Sequence, residues 1–218
     1  MHIGVLGSGL MGGKLGTLFA RAGHDVTFSY ARSRQKLEAL ARDAGRGARA
    51  GTPREAAQGA DALLLAVHWS RIDDVLHQAG DLAGTVVVSC SLPMNADDTE
   101  LVVAHASSGA EELAGRMPGA RFVSAFNTVP SEVLFGVFAA RGTGARPSLV
   151  YCGDDARAKS VAVGLIRDLG FDPVDAGPLR SARYTEPFAL LVARLAYEGD
   201  EGPELAYRFE RFRAGPQA

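Results

Sequence analysis

Short, almost wholly apolar stretches alternate with segments of helical periodicity along the chain, and this alternation limits the possible folds more than any other feature. The runs "ALLLAV" from Ala62 and "TVVVSC" from Thr85 carry apolar residues on what would be both faces of a strand. Such strands are typical of parallel sheets that are covered by helices on both sides. The sequence therefore predicts an α/β protein with a doubly wound, mainly parallel sheet.

The predicted elements follow one another at short intervals. The predicted strands are residues 2–6, 25–30, 48–50, 61–67, 85–90, 121–126, 148–152 and 172–175. The predicted helices between them are residues 11–22, 33–44, 54–58, 72–79, 109–117, 131–140 and 156–169. Beyond residue 178 the pattern becomes largely helical, in "FALLVARLAYEG" and "PELAYRFERF". We expect residues 179–218 to form a helical cap or dimer arm that is not an independent domain.

A glycine-rich turn, "GVLGSGLMGGKLG" from Gly4, lies directly after the first predicted strand. Gly7, Gly9 and Gly12 form G-x-G-x-x-G at the mouth of a helix, the pattern of a dinucleotide-binding Rossmann domain. In that frame the three glycines serve the tight turn, the approach of a pyrophosphate and close helix–strand packing, respectively. The helix N-terminus adds unpaired N–H groups and partial positive charge. The alternative is a packing corner without a ligand.

This turn makes residues 1–178 a predicted NADP-binding Rossmann domain. The residues of the turn that we expect to contact the cofactor are Gly7, Ser8, Gly9, Leu10, Met11 and Gly12.

The end of the second strand indicates which nicotinamide cofactor is used. An NAD site places an acid about 20 residues beyond the glycines to bind the ribose 2′-hydroxyl, but "FSYARSRQK" from Phe28 contains no acid. Cations and a hydroxyl stand there instead, which suit a 2′-phosphate. The predicted contacts are Tyr30, Arg32, Ser33, Arg34 and Lys36. We therefore expect NADP(H); the alternative for the basic residues is a solvated helix face.

The nicotinamide half of the cleft is expected beyond strands four, five and six, because ligands of open α/β sheets bind outside the carboxyl ends of the strands. These segments read "VHWS", "SCSLP" and "FNTVP". The residues predicted to line this half are Val67, His68, Trp69, Cys90, Ser91, Asn127 and Thr128.

Several of these residues have two interpretations. His68 is either a proton donor or a ribose contact, and no carboxylate is placed by the sequence to orient it. Trp69 is either a ring platform or a core anchor. Cys90 is a small strand-end residue rather than a nucleophile, because no nearby cation would lower its pKa. Asn127 can offer donors and acceptors to a carboxamide or heterocycle edge, or it can close a turn.

No residue stands out as the general acid that carbonyl reduction requires. None of the tyrosines is followed four residues later by lysine, and Lys14, Lys36 and Lys159 all lie on predicted helices. Hydride transfer to a flavin-like ring demands less of the protein, because the heterocycle itself stabilises the charge.

Composition excludes several classes of partner and site. A net charge of −2 gives no basic surplus for a nucleic acid. The apolar runs are far shorter than the roughly 20 residues of a membrane-spanning helix, and no secretory signal is recognisable. The two cysteines lie too far apart for a disulfide framework or a metal cluster. We expect a cytoplasmic protein with a small-molecule redox substrate and no metal site.

Four segments together resemble the family of NADPH-dependent coenzyme F-420 reductases, the F-420H2:NADP oxidoreductases. They are the glycine turn, "SAFNTVPSEV", "VYCGDD" and "DAGPLRSARYTEP". The nucleotide-binding module of the STEAP metalloreductases is a more distant relative. The resemblance implies a homodimer in which the deazaflavin ring lies against the nicotinamide and hydride passes directly. It also places Ser8 and residues 32–36 at the 2′-phosphate and matches Trp69 to a tryptophan after strand four.

Three functions are therefore considered. The first is an NADP(H)-dependent oxidoreductase that moves hydride between NADPH and a deazaflavin (coenzyme F-420) or flavin. The second is a reductase of a small imine or carbonyl compound, with His68 as proton donor. The third is a non-catalytic NADPH-binding sensor whose helical tail contacts a partner.

Overall fold

The computed structural model describes residues 1–144 and 146–212 and contains the predicted sheet. Within these residues one sheet is built from eight strands. They are β1 His2–Leu6, β2 Asp25–Ser29, β3 Arg49–Ala50, β4 Ala62–Leu65, β5 Val86–Ser89, β6 Arg121–Ala125, β7 Ser148–Gly153 and β8 Asp172–Asp175. Every predicted strand is present, which confirms the α/β Rossmann class.

The strand order is β3-β2-β1-β4-β5-β6-β7-β8. Its first six positions follow the order 3-2-1-4-5-6 of dinucleotide-binding sheets. All neighbouring strands are parallel except β6 and β7, which pair antiparallel. The order reverses between β1 and β4, so the crevice that binds ligands in such sheets opens at the carboxyl ends of these two strands.

Helices cover both faces of the sheet. They are α1 Leu10–Arg21, α2 Arg34–Ala44, α3 Pro53–Ala57, α4 Ile72–Ala79, α5 Gly109–Arg116, α6 Val133–Ala139, α7 Ala156–Asp168 and α8 Ala182–Tyr197. Two short 3-10 helices, Trp69–Arg71 and Leu179–Ser181, precede α4 and α8. The predicted boundaries of α1 to α7 agree with these to within two residues, because capping residues and glycines mark many helix ends in the sequence. Helix α8 begins six residues before the predicted helical segment at Phe188.

Two apolar cores result from the alternation of side chains along the strands. Val86 and Val88 belong to the core that α1, α2, α6 and α7 cover, whereas Val87 belongs to the core beneath α3, α4, α5 and α8. This period of two is the expected consequence of strand geometry. Both faces are therefore apolar, as the runs of β-branched and leucine residues predicted.

Most helices that follow a loop begin on a polar side chain that accepts a backbone hydrogen bond. Ser33 caps α2, Thr52 caps α3 in a capping box with Glu55, Ser108 caps α5 and Asp155 caps α7. Such caps satisfy N–H groups that the helix leaves unpaired. Helix α1 has Gly9 at its N-cap and no bond from a described side chain there, and α6 also lacks a side-chain cap.

The end of the chain is only partly helical, which corrects one prediction. Helix α8 ends at Tyr197, and the segment "PELAYRFERF" is irregular instead of helical. Its hydrogen bonds go to the start of β7: the Ser148 N–H donates to the Tyr207 carbonyl at 2.8 Å, and the Phe209 N–H donates to Ser148 Oγ at 2.9 Å. The rings of Phe188, Tyr207 and Phe209 pack together. Residues 213–218 of the predicted arm lie outside the described residues.

A buried carboxylate joins α8 to α5. Glu186 is 1% exposed and accepts the N–H groups of Gly109 and Ala110, at 2.9 and 2.8 Å. Burial raises the pKa of Glu186 to about 7, against the lowering effect of these two hydrogen bonds. The first turn of α5 is thus held by the tail of the chain.

Candidate dinucleotide-binding site

The glycine turn is attached to the end of β2 by its backbone. The Gly7 N–H donates to the Ser29 carbonyl at 3.2 Å, and the Ser8 N–H donates to the Tyr30 carbonyl at 3.1 Å. Gly7 has φ of +110°, a conformation that side chains disfavour, and a Cβ there would lie 2.4 Å from the Ala66 carbonyl oxygen. Gly7 is therefore required by the fold itself.

Gly12 and Gly9 differ in the space that a Cβ would have. A Cβ on Gly12 would lie 1.9 Å from the Gly7 carbonyl oxygen, so Gly12 is required for α1 to pack this close to the turn. A Cβ on Gly9 would lie more than 4 Å from every other atom of residues 1–144 and 146–212 that could obstruct it. Gly9 has φ of −77°, a negative value that other residues also adopt. Packing within the protein thus explains two of the three glycines and leaves Gly9 to a group that approaches from outside.

The N-terminus of α1 leaves donors open toward this space. Its first intrahelical bond runs from the Gly13 N–H to the Gly9 carbonyl at 3.0 Å, and its first turn contains no acidic residue. The N–H groups that precede that bond have no helical acceptor. Together with the helix dipole they suit a phosphate group. The Ser8 hydroxyl is not part of this set, because it is buried and donates to the Ser29 carbonyl at 2.9 Å.

A cleft of about 980 Å³ opens in front of the turn. Ten of the residues predicted from sequence line it: Gly7, Ser8, Gly9, Leu10, Tyr30, Arg32, Arg34, Lys36, Val67 and His68. The other predicted residues are absent from its described lining: Met11, Gly12, Ser33, Trp69, Cys90, Ser91, Asn127 and Thr128. The cleft is thus lined mainly by residues predicted for the turn and the basic segment, and by few of those predicted for the nicotinamide half.

Basic side chains gather at one end of the cleft. Arg32 and Lys36 form no ion pair with any described residue, whereas Arg34 pairs with Glu38 at 3.0 Å. The Ser33 hydroxyl accepts the Lys36 N–H at 3.3 Å and so begins α2. Arg71, which the sequence analysis did not select, adds a further cation from the opposite wall. This end can accommodate a dianionic phosphate.

Helix α4 supplies residues that the sequence analysis missed, namely Asp74 and Gln78. The Tyr30 hydroxyl donates to Asp74 Oδ2 at 2.5 Å, and Gln78 donates to Asp74 Oδ1 at 3.1 Å. Burial, and then the bond to Asp74, raise the pKa of Tyr30 to about 12, while the bond from Tyr30 lowers the pKa of Asp74. Arg71, Asp74 and Gln78 are spaced so that they lie on one helical face, and this spacing could have predicted that they line the cleft together. The sequence analysis used only "VHWS" from this region and assigned it to the nicotinamide half.

His68 is oriented by a carboxylate that no sequence pattern indicated. Its Nδ1 accepts the Ser70 N–H at 3.2 Å, so the neutral ring carries its proton on Nε2. Nε2 lies 3.2 Å from the Asn95 carbonyl oxygen and 3.3 Å from Asp98 Oδ1. Both ring nitrogens are thus engaged by the protein, which weakens the interpretation of His68 as a proton donor to substrate.

Three other predicted residues make packing contacts or hydrogen bonds within the protein near the far end of the cleft. The Trp69 ring is half-buried with the Arg116 guanidinium 5.2 Å from its centroid, which favours the anchor interpretation. Burial raises the pKa of Cys90 to about 12, consistent with a residue that is not a nucleophile. The Ser91 hydroxyl donates to the Val67 carbonyl at 2.8 Å and ties the ends of β4 and β5 together.

Asn127 and Thr128 also make internal contacts. Asn127 donates to Ser124 Oγ at 3.2 Å, and Thr128 is fully buried and accepts the Tyr207 hydroxyl at 2.8 Å. They follow Phe126, a buried residue with φ of +68°. Side chains disfavour this conformation, which here redirects the chain as it leaves β6.

One lysine lies beside a strand end although it belongs to a helix. Lys14 Nζ on α1 donates to Ser131 Oγ at 3.0 Å and pairs with Glu132 at 3.3 Å, just beyond β6. The Tyr197 hydroxyl donates to the other oxygen of Glu132 at 2.6 Å. Lys14 therefore reaches the segment that follows β6 from a helix, because α1 packs against α6.

Two further properties concern what the described residues lack. No group of three or more His, Cys, Asp or Glu side chains comes together there in a way that could hold a metal ion. Nor does any helix in residues 1–144 and 146–212 have the length and apolar character needed to cross a membrane.

The fold, the strand order and the open N-terminus of α1 define a dinucleotide-binding protein of the Rossmann class. The family model described as "NADP oxidoreductase coenzyme F420-dependent" matches residues 2–93, which include β1 to β5 and the glycine turn. Residues 2–93, rather less than half of the chain, are thus similar to this family of NADP-dependent oxidoreductases.

Similar proteins extend the likeness beyond the matched segment. The rat metalloreductase STEAP3 is 30% identical over 188 residues, which cover 86% of this chain and only 36% of that protein. A protein of Arthrobacter sp. FB24, provisionally assigned as an F420-dependent NADP reductase, superposes with a TM-score of 0.83 over 97% of this chain and all of its own, at 24% identity. A hypothetical protein of Sinorhizobium meliloti gives 0.73 at 30% identity, over 84% of this chain and 88% of its own. The Arthrobacter likeness shows the fold alone.

Substitution of Gly9 separates ligand binding from folding. We expect Gly9→Val to weaken NADPH binding by at least about tenfold, or ~1.4 kcal/mol, because its side chain would occupy the open space before α1. The melting temperature is expected to stay near that of the wild type. Calorimetric titration and thermal unfolding measure the two effects.

Two matched glycine variants complete this test. Gly12→Ala is expected to lower the melting temperature, because its Cβ would collide with the Gly7 carbonyl. Gly164→Ala, on the open side of α7, should change neither property adversely. Full NADPH affinity in Gly9→Val would contradict the assignment of this turn.

Proposed function

We propose that the protein transfers hydride between NADPH and a deazaflavin, such as coenzyme F-420, or a flavin-type ring. Three features of the described residues support the proposal: the open space before Gly9, the N-terminus of α1 without a side-chain cap, and Arg32 and Lys36, which have no ion-pair partner there, at one end of the same cleft. These features fit a diphosphate on bare backbone and a ribose 2′-phosphate among cations. The nicotinamide, when bound, supplies or accepts the hydride.

The proposed orientation follows from the topology of the sheet. The adenosine end would lie between the end of β2 and α4, where Arg32, Lys36 and Arg71 line the cleft. The nicotinamide end would then point past Val67 toward His68, because dinucleotides bind across the switch point between β1 and β4. The protein's contribution is to hold the two rings in contact and to exclude water.

The proton donors along the cleft favour an acceptor that needs none from the protein. Tyr30 lies at the end proposed for the adenosine and donates to Asp74, so it is not placed to protonate an acceptor. His68 carries its proton toward Asn95 and Asp98. An imine or carbonyl acceptor requires protonation of the nitrogen or oxygen as hydride arrives, whereas a deazaflavin or flavin delocalises the added charge.

Anaerobic mixing of the protein with NADPH and candidate acceptors tests this function. We expect loss of the oxidised deazaflavin or flavin absorbance in proportion to the NADPH consumed, and no such change with Gly9→Val at the same concentration. Turnover confined to imines or carbonyl compounds would contradict the proposal in favour of a general-acid mechanism. Tight NADPH binding without turnover of any acceptor would indicate a sensor instead.

Replacement of the unpaired cations tests the choice between NADPH and NADH. We expect the double variant Arg32→Ala/Lys36→Ala to lose NADPH affinity by roughly tenfold or more, because charge-assisted bonds to phosphate are lost, with little change for NADH. Arg42→Ala, an exposed cation near the other end of α2, is the matched control. Equal losses for both cofactors would show that these side chains do not recognise the 2′-phosphate. Dissociation constants from calorimetry provide the comparison.

We further propose that the protein pairs with a second copy of itself through α8. Tyr184, Leu191 and Leu195 lie on one side of this helix and are 73%, 54% and 60% exposed, while its opposite side packs on the sheet. An apolar stripe of this kind is unusual on the surface of a monomer. The homodimer that the family resemblance implies would cover it.

Light scattering after size-exclusion chromatography tests the dimer. The wild type is expected to have twice the chain mass, and Leu191→Glu/Leu195→Glu is expected to reduce it to a single chain because each carboxylate would be buried in the contact. Arg194→Glu changes the charge of an exposed residue on the same helix and serves as the control. A monomeric wild type would contradict the proposal.

A further inference from the structure

The connection between β5 and α5 contains a small ordered hairpin. Met94 and Leu101 form an isolated antiparallel bridge, and the Asn95 side chain accepts the N–H groups of Thr99 and Glu100 at 2.9 and 3.3 Å. Connections of this length in compact domains are uncommon without a role. We call residues 94–101 the strap.

The strap touches the cleft at one residue, His68. The Asn95 carbonyl and the Asp98 carboxylate both face His68 Nε2, at 3.2 and 3.3 Å, while His68 itself lines the cleft. Asp98 reaches this position with φ of +55°, a conformation that aspartate and asparagine tolerate better than most side chains. The contact therefore links the loop after β4, which contains His68, to the loop after β5, which contains Asn95 and Asp98.

The position of this contact coincides with the limit of the open cleft. Val67 and His68 line the cleft, but Cys90, Ser91, Asn127 and Thr128, farther along the same edge of the sheet, do not. The strap leaves the sheet directly after Cys90 and Ser91 and returns over His68. It thus stands between the open adenosine half and the strand ends where an acceptor ring would have to meet the nicotinamide.

We propose that Asp98 is a positioning residue of the acceptor site, which acts through His68 to hold the strap as its wall. This inference rests on the proposed hydride transfer and deepens it. Asp98 acts on no reacting atom; it fixes the His68 ring, and the ring and the Asn95 carbonyl fix the strap. A wall held in this way would set how well an acceptor stacks on the nicotinamide without altering the adenosine half.

The strength of the contact suits a wall that opens and closes. Asp98 is largely exposed and His68 is one third exposed, so their pair is screened by solvent. Exposed pairs of this kind shift equilibria by only a fewfold. The strap would therefore be held closed most of the time and still open for ligand exchange.

Three variants isolate the Asp98 side chain. Asp98→Gly removes the carboxylate and keeps a residue that accepts positive φ, so that backbone strain does not confuse the result. Asp98→Asn keeps an oxygen that can accept from His68 Nε2 and removes the charge. Asp97→Asn removes the same charge from the adjacent exposed residue, whose side chain bonds to none of the described residues.

Hydrogen exchange and steady-state kinetics provide two independent readouts. Asp98→Gly is expected to exchange faster in residues 94–101, to shift the emission of the single tryptophan, Trp69, and to raise the KM for the acceptor about threefold to fivefold. Its dissociation constant for NADPH should stay unchanged. Asp98→Asn is expected to restore most of the wild-type KM, and Asp97→Asn to match the wild type.

The outcomes distinguish this inference from the proposed function. Unchanged exchange in Asp98→Gly, or an equal effect in Asp97→Asn, would overturn the role of Asp98 in holding the strap. Faster exchange with an unchanged acceptor KM would overturn its role in positioning the acceptor. If the wild type reduces no acceptor, the proposed function fails by itself, and the link to an acceptor site fails with it, while exchange still reports whether Asp98 holds the strap.

Discussion

The close approach of α1 to the turn that precedes it is the constraint on which the rest of the site depends. A single added carbon on Gly12 would lie 1.9 Å from the Gly7 carbonyl oxygen, so the helix can begin where it does only because both positions lack side chains. The backbone bonds from Gly7 and Ser8 to the end of β2 fix the same turn from the other side. With both sides fixed, the uncapped helix N-terminus faces the switch point of the sheet, where the parallel strands diverge and leave room for a ligand.

Most of the fold could be predicted because its signals are local. Strand boundaries follow from apolar runs, helix starts from Ser33, Thr52, Ser108 and Asp155, and the glycine turn from three residues within one segment. The contacts that shape the far half of the site join residues that are distant in sequence, as in His68 with Asp98 and Lys14 with Glu132. No periodicity or spacing records these contacts, because they depend on how loops and helices pack after the sheet has formed. The irregular tail was missed for the same reason, since its bonds go to Ser148 at the start of β7.

The segments that carry the family resemblance near the end of the chain have structural roles. In "CGDD", Asp155 caps α7, and Asp154 accepts the Leu179 N–H at 3.0 Å. In "DAGPL", Asp175 pairs with Lys159 at 2.8 Å and accepts the Gly177 N–H. These bonds hold the 3-10 helix that leads into α8, and Glu186 then holds α8 to the start of α5. The distinctive residues therefore fix the position of the tail beneath the sheet, while the glycine turn, which many families share, lines the cleft that we propose for the cofactor.

The two ends of the cleft are built on opposite principles. At the end proposed for the adenosine, Arg32 and Lys36 have no ion-pair partner among the described residues, and no described side chain caps α1, so donors remain that a ligand can satisfy. At the other end, the polar side chains that were candidates for chemistry already form hydrogen bonds within the protein. Ser91 bonds to Val67, Asn127 to Ser124, and His68 to the Asn95 carbonyl of the strap. Binding energy would then come from the nucleotide's phosphates, and the far end would contribute shape rather than reactive groups. Such a division favours a reaction whose chemistry resides in two stacked heterocycles over one that needs a proton from a side chain.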